Sequence, residues 1–305
     1  MADQRPTVVA IFGPTGIGKT AVAIGLADIL RERGGEPLAV SADALQVYRG
    51  LETLSGAADA HEQERLEHRL LSFLPASEPF SVGEYAPLAH MEIDTALATG
   101  RTPIVVGGTG LYLRAALTEL DLKPPPSPAA RERWQQRMRE SGPEALHAEL
   151  AEHAPWAVET IPATDRSRIV RALELLEMGA LEPPGEDAAE SQLWTSDTRH
   201  PTLLAGLVME REALYRRIDE RVDEMVAAGA AAEVEAAERA GASHTARKAL
   251  GYEELLAGDV EAMKRRTRNY AKRQLTWMRK LAGVRAIDVT GRDAGDVAAE
   301  IARLI

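Results

Sequence analysis

The octapeptide GPTGIGKT follows the short apolar run Thr7 to Phe12 and precedes a segment with Val22, Leu26, Ile29 and Leu30 at helical spacing. It matches G-x-x-x-x-G-K-[ST] in full, in the strand, turn, helix setting that gives the pattern its meaning. Gly13, Pro14, Thr15, Gly16, Ile17, Gly18, Lys19 and Thr20 therefore form a candidate phosphate cradle. Glycines let backbone N–H groups turn inward around phosphate oxygens, and the helix N-terminus adds positive potential. Lys19 brings a mobile cation to the outer phosphates, and Thr20 stands where a magnesium ligand belongs. A glycine turn that only reverses the chain leaves the lysine unexplained. The same pattern serves ATP-binding proteins, so it does not say whose phosphate is held or which bond breaks.

Beyond the cradle, Gly34 and Gly35 stop the first helix, and Pro37 to Ala42 reads as a second buried strand ending at Asp43. Ser81 and Glu84 form a capping box for a helix running to about Thr99, before a buried strand at Pro103 to Val106. This β-α-β-α-β order implies an α/β fold with a parallel sheet and right-handed crossovers. Pro124, Pro125 and Pro126 are expected to end the helix that begins near Leu111 and to mark a domain boundary. From Ser127 to about Gly179 the pattern is helical, with Ser127 and Pro128 starting one helix and Thr164 capping another. The acidic stretch Leu181 to Gln192 reads as a return linker, and Thr202 to Met209 as a strand resuming the sheet. Helices broken at Gly229, Gly241 and Gly258 fill Glu210 to Arg279, before a short strand and helix to Ile305. The expected plan is a P-loop core (1–122), an inserted helical domain (123–185) and a second, mostly helical part of the core (186–305).

The chain has 305 residues, no cysteine and a net charge of −11. A thiolate metal site and disulfides are excluded, a reducing compartment is suited, and no segment approaches the roughly 20 apolar residues of a membrane span. We expect a cytoplasmic protein. Such a charge opposes nucleic-acid binding by bulk attraction, so any RNA contact must use local basic patches.

Three further stretches carry chemistry. In SADALQVYRG, Ser41 to Gly50, Asp43 ends a strand beside the cradle, where open α/β sheets place their ligands. It is positioned to bind magnesium or take a proton; capping the following turn is an equal alternative. In VVGGTGLYLRA, Val105 to Ala115, paired glycines permit close backbone approach and Thr109 offers a hydroxyl, but no second carboxylate of the ATPase kind follows this strand. Lys264 to Lys280 is basic and aromatic without a single acid, suited to a phosphate backbone, although such runs are also ordinary solvated helix faces. Arg131, Arg133, Arg137 and Arg139 make a weaker patch, and Arg166, Arg168 and Arg171 a third. Trp134 and Trp156 are expected to pack the small core of the insertion.

Taken together, GPTGIGKT, SADALQVYRG, VVGGTGLYLRA, DRSRIVRALELLE, LYRRIDERVDEMVAAG and AKRQLTWMRK, in this order and spacing, resemble the bacterial tRNA dimethylallyltransferases from Thr7 to Trp277. The resemblance implies transfer of a dimethylallyl group from its diphosphate to the exocyclic amine of an adenine beside the anticodon, with magnesium and tRNA as partners and a monomeric enzyme. It implies that Lys19, Thr20 and the loop amides bind the diphosphate, that Asp43 removes the amine proton, and that at least one of Arg217 and Arg221, four apart on one helix, reaches the diphosphate from above. Thr109 joins the catalytic set. Contacts to the anticodon stem-loop are implied at Asp43, Ala44, Leu45 and Gln46, at Thr109 and Arg131, at Ser167, Arg168 and Arg171, at Lys248, Gly251 and Tyr252, and at Lys272 and Arg273. Gln46 would read the edge of an adenine drawn from its stack.

The chain departs from that family in three places. Ala44 and Leu45 replace the usual Ser-Met, Leu54 to Ala58 replace a Gly-Thr-Ala-Lys-Pro segment, and Lys248 replaces an arginine with its bidentate fork. A zinc finger, added in eukaryotic members, has no residues to form it here. A small-molecule P-loop kinase and a free-adenylate isopentenyltransferase share the N-terminal features; neither accounts for the basic helix at Lys264 to Lys280.

Overall fold

The computed structural model describes residues 7–183 and 193–305. The chain divides into two compact units, Met1–Leu120 with Gln192–Ile305, and Asp121–Ser191. Part of the expected return linker, residues 184–192, lies outside the described residues, as does the expected boundary at 185/186.

In the first unit eight strands are present among the described residues: β1 (Val8–Phe12), β2 (Pro37–Ser41), β3 (Tyr48–Arg49), β4 (His68–Arg69), β5 (Leu74–Pro75), β6 (Thr102–Gly107), β7 (Thr202–Val208) and β8 (Arg285–Asp288). Six of them form one sheet in the order β4-β2-β6-β1-β7-β8, every neighbouring pair parallel. β3 and β5 make a separate parallel pair. β1 and β2 are buried along their whole length, which is why they read as unbroken apolar runs rather than as alternating ones. The Lys19–Glu32 helix buries Val22, Leu26 and Leu30 against this sheet and the Ala294–Ala302 helix.

Parallel order fixes the location of the chemistry. The cradle follows β1, Asp43 follows β2 and Thr109 follows β6, and β6 lies between β2 and β1. Three motifs far apart in sequence therefore emerge side by side at the carboxyl edge of one sheet.

Two local expectations are corrected. The helix after β6 is Gly110–Leu117, ending seven residues before the proline run. Its termination is tertiary: the Arg199 N–H takes the Leu117 carbonyl at 2.8 Å, while Thr118 turns extended. The cap expected at Thr164 belongs to Asp165, whose carboxylate accepts the Arg168 N–H at 3.1 Å at the start of the Arg166–Glu177 helix. The Ser81/Glu84 capping box is present with both its bonds.

The second unit is helical, with Pro128–His153, Pro155–Val158 and Arg166–Glu177. Ser127 caps the first of these and Gly142, at φ 78°, kinks it ahead of Pro143. Met138, Leu146, Leu150, Ile169 and Leu173 form the core, with Trp134 and Trp156 packed against it. Arg137 grips Glu149 through two bonds of 2.7 Å, one from each terminal nitrogen.

Candidate active site

The loop after β1 enters the Lys19–Glu32 helix through Gly18, whose φ of 95° suits a residue without Cβ. Lys19 Nζ donates to the Gly13 and Pro14 carbonyls at 3.0 and 3.1 Å. Burial, reinforced by the Arg221 guanidinium and opposed by Asp43, lowers the Lys19 pKa to about 8. Arg221, on the Arg211–Ala227 helix, donates to Thr15 Oγ1 at 3.2 Å and to the Gly56 carbonyl at 3.4 Å. Burial also pulls its pKa below the usual guanidinium range, against the pull of Asp43, Glu62 and Glu224. Arg217, one turn earlier, brings its guanidinium to Gly18, where an added Cβ would lie 3.2 Å from Nη2. Two arginines thus overhang the cradle.

Asp43 Oδ1 accepts the Leu45 N–H at 3.0 Å and Oδ2 accepts the Thr109 hydroxyl at 3.3 Å. One oxygen thus caps the following turn, while the other faces Thr109 at the carboxyl edge of the sheet. Thr109 is the N-cap residue of its helix but makes no side-chain cap bond. Its hydroxyl is directed at Asp43 instead and lies 3.5 Å from the Tyr270 hydroxyl. Burial, with Asp43 nearby, pushes Tyr270 up to about 12, so it stays a neutral hydroxyl.

Lys19, Thr20, Asp43, Gln46, Arg217 and Arg221 line a single cavity of about 610 Å³, with Leu45, Leu54, Val222 and Met263 among its apolar walls. Ala44 is half-buried beside it. The Gln46 amide is oriented at both ends: Oε1 accepts the Ser41 hydroxyl at 3.1 Å and Nε2 donates to the Gly56 carbonyl at 3.0 Å.

The residues singled out for RNA contact fall into distinct settings. Lys272 and Arg273 are exposed on the Val260–Met278 helix, Arg273 lying 5.4 Å over the Tyr270 ring. The basic run itself is divided: Lys264 pairs with Asp223, Arg266 with Glu254 and Arg268 with Asp219. Its first half is thus neutralised by acids of neighbouring helices. Lys248 is exposed on the Ala246–Lys248 turn. Tyr252 requires correction, because it is fully buried with its hydroxyl donated to Glu238 at 3.0 Å, and it offers no side-chain face to a ligand. Gly251, also buried, starts its helix at φ 93°. In the helical unit, Ser167 and Arg168 are exposed. Arg131 and Arg171 both pair at 3.4 Å with the buried carboxylate of Glu174.

Two residues that sequence reasoning passed over hold the cavity together. Gln274, 5% exposed, accepts the Thr15 N–H at 2.9 Å and donates to the Gly108 carbonyl at 2.8 Å. Glu233 accepts the Thr53 and Leu54 N–H groups, both at 3.0 Å, at the start of the short Glu52–Ser55 helix. A polar residue among the buried positions of an amphipathic helix was the available signal for Gln274; nothing local marks Glu233.

A glycine-rich loop with lysine, at the carboxyl edge of a parallel sheet and beneath two arginines, defines a P-loop α/β fold. The family model described as IPP transferase matches residues 46–281, and one described as isopentenyl transferase matches residues 6–74. A tRNA dimethylallyltransferase of Geobacillus kaustophilus is 39% identical over 96% of this chain and 93% of its own. The crystal structure of a tRNA isopentenylpyrophosphate transferase from Bacillus halodurans superimposes with a TM-score of 0.69 at 32% identity, covering 98% of this chain and 95% of that one. A eukaryotic dimethylallyltransferase described as acting on tRNA shares the fold, with a TM-score of 0.72 at 24% identity over 94% of this chain and 75% of that one. The chain belongs to the IPP transferase family.

Proposed function

We propose that the protein transfers the dimethylallyl group of dimethylallyl diphosphate to the N6 amine of the adenine on the 3′ side of the anticodon in tRNA, releasing diphosphate. The observation that carries this reading is the sharing of one cavity by Lys19 of the cradle and Asp43 of the adjacent strand, in a chain whose family match spans 46–281. The P-loop here grips a leaving group. The bond from the allylic carbon to oxygen breaks, its electron pair departs on diphosphate, and the adenine nitrogen bonds to that carbon. Charge builds on the diphosphate as it leaves, so Lys19, Arg217, Arg221 and the loop amides bind it more tightly in the transition state than in the ground state. Asp43 takes the proton lost by the amine, with Thr109 orienting the carboxylate. Gln46, its amide fixed at both ends, is the candidate reader of the base edge.

Magnesium fits the donor set. Thr20 lines the cavity with a hard hydroxyl oxygen, and this cation is commonly held by few protein oxygens plus substrate phosphates. Among the described residues no group of three or more His, Cys, Asp or Glu is arranged to hold a metal alone. Thr20 would hold the ion, which supplies charge neutralisation to the diphosphate.

Exposed Lys272 and Arg273 are the proposed tRNA contacts on the core, and Arg131, Ser167, Arg168 and Arg171 those on the helical unit. The reaction is proposed for a monomer, in the cytoplasm where its acceptor is found. Among the described residues no helix is long and apolar enough to cross a membrane. The test supplies labelled dimethylallyl diphosphate with unmodified tRNA, with AMP, or with small alcohols and ATP. Label on tRNA alone is expected; label on AMP identifies a free-adenylate enzyme, and phosphorylated alcohol identifies a kinase.

A further inference from the structure

Thr15, in the phosphate loop, is held from two helices at once. Its hydroxyl accepts from Arg221 at 3.2 Å and its N–H donates to Gln274 Oε1 at 2.9 Å, across 259 residues of sequence. Gln274 spends its other amide end on the Gly108 carbonyl, 2.8 Å away. A buried amide costs free energy unless both ends are bonded, and a leucine would fill the same volume at no such risk. Both ends of the amide are bonded here, and the two bonds join the loop after β1 to the loop after β6. The glycine at position 108 is matched to it, because an added Cβ there would run into Gln274 Nε2 and lie 3.3 Å from Lys19 Nζ. The strap, the glycine and the phosphate-binding lysine are thus adjacent. The same Val260–Met278 helix carries Tyr270 toward Thr109.

We propose that Gln274 is a positioning residue that straps the phosphate loop to the Val260–Met278 helix and so sets the loop's affinity for a diphosphate. This rests on the reading that the loop holds a diphosphate. Without the strap the Thr15 N–H and the Gly108 carbonyl lose their partners, and the loop must be ordered by the ligand at the ligand's expense.

The test is calorimetric titration of the full chain with inorganic pyrophosphate and magnesium, comparing wild type, Gln274→Leu and Gln274→Glu. Loss of two buried hydrogen bonds predicts about tenfold weaker binding, or more, for Gln274→Leu at every pH. The glutamate variant is isosteric, but when ionised it sets an oxygen against the Gly108 carbonyl and a negative charge under the loop. Protonated, it again has one acceptor and one donor, the amide's own pattern. Its deficit relative to wild type is therefore expected to be large at pH 8 and to shrink toward about pH 5.5. Taking the wild type as reference at each pH cancels the titration of free pyrophosphate. A purely structural glutamine gives no such recovery. If the leucine variant fails to fold, the profile of the glutamate variant decides. Wild-type affinity in both variants, or a glutamate deficit that does not vary with pH, overturns the strap. A wild type that does not bind pyrophosphate overturns the diphosphate reading, and the strap with it.

Discussion

The Thr109 hydroxyl reaches Asp43 Oδ2 at 3.3 Å across the carboxyl ends of two adjacent strands, while the Leu45 N–H holds Oδ1. The carboxylate is aimed by a bond at each oxygen and still lines the cavity that holds Lys19. In the proposed reaction Asp43 would be the base, and a carboxylate in that role needs an orienting partner, since the proton it takes is released only as nitrogen attacks.

Asp43→Asn is predicted to lower single-turnover prenyl transfer about a hundredfold or more while leaving pyrophosphate affinity close to wild type. The amide can still accept the Leu45 N–H and meet the Thr109 hydroxyl, so the fold survives. Thr109→Val, which removes only the orienting bond, is predicted to cost about tenfold in the same assay. Equal losses in transfer and pyrophosphate binding for Asp43→Asn would point to a disrupted loop rather than a missing base.

Lys19 supplies a pH dependence whose direction is fixed. Its pKa in the free protein is lowered to about 8, and a bound diphosphate favours the charged ammonium and raises it. Binding therefore takes up a proton at pH values above the free-protein pKa. Affinity should be greatest below pH 8 and fall with rising pH, by up to about tenfold per unit. Calorimetry at pH 9 in buffers of different ionisation enthalpy should report proton uptake by Lys19 on top of any contribution from the ligand, and Lys19→Met should remove that part.

Gly107→Ala should destabilise the core, although Gly107 lies in a strand and not in a strained turn. A Cβ there runs into the carbonyl of Ala42 on the adjacent chain segment, a backbone atom that cannot move aside. We expect a loss of about 2–3 kcal/mol in chemical denaturation. Alanine at Gly34, whose surroundings are open, should act only through its φ of 83° and cost about 1 kcal/mol.

Glu233→Ala removes the carboxylate that receives the Thr53 and Leu54 N–H groups. A lost cap of this kind costs about 1 kcal/mol. The larger effect should be on the cavity wall, since the Glu52–Ser55 helix leads into Gly56, whose carbonyl receives both Gln46 and Arg221. Hydrogen exchange over residues 52–58 should accelerate, and the KM for tRNA should rise even at temperatures well below the melting transition.

What the sequence made legible was local or periodic. The cradle is eight consecutive residues, the buried strands are unbroken apolar runs, and the Ser81/Glu84 box spans four positions. The plan of the sheet followed from element order. The missed features act over distance: Gln274 meets Thr15 across 259 residues and Glu233 meets Thr53 across 180. The end of the Gly110–Leu117 helix was misread because the nearest local stop signal was the proline run, whereas Arg199 supplies the stop from elsewhere in the chain. Between Asp43 and Ser81 the strands have two residues each and the helices four and six. Such elements are too short to carry a period. The basic run looked uniform because the acids that neutralise its first half, Asp219, Asp223 and Glu254, lie on other helices.

The most direct test of the central claim is the fate of a doubly labelled donor, dimethylallyl diphosphate carrying carbon label in the prenyl group and phosphorus label in the diphosphate, incubated with unmodified tRNA and magnesium. The account predicts carbon label in an adenosine of the digested tRNA and all phosphorus label in free pyrophosphate. Phosphorus label on the acceptor, or release of single phosphate with the prenyl group left unattached, would contradict it.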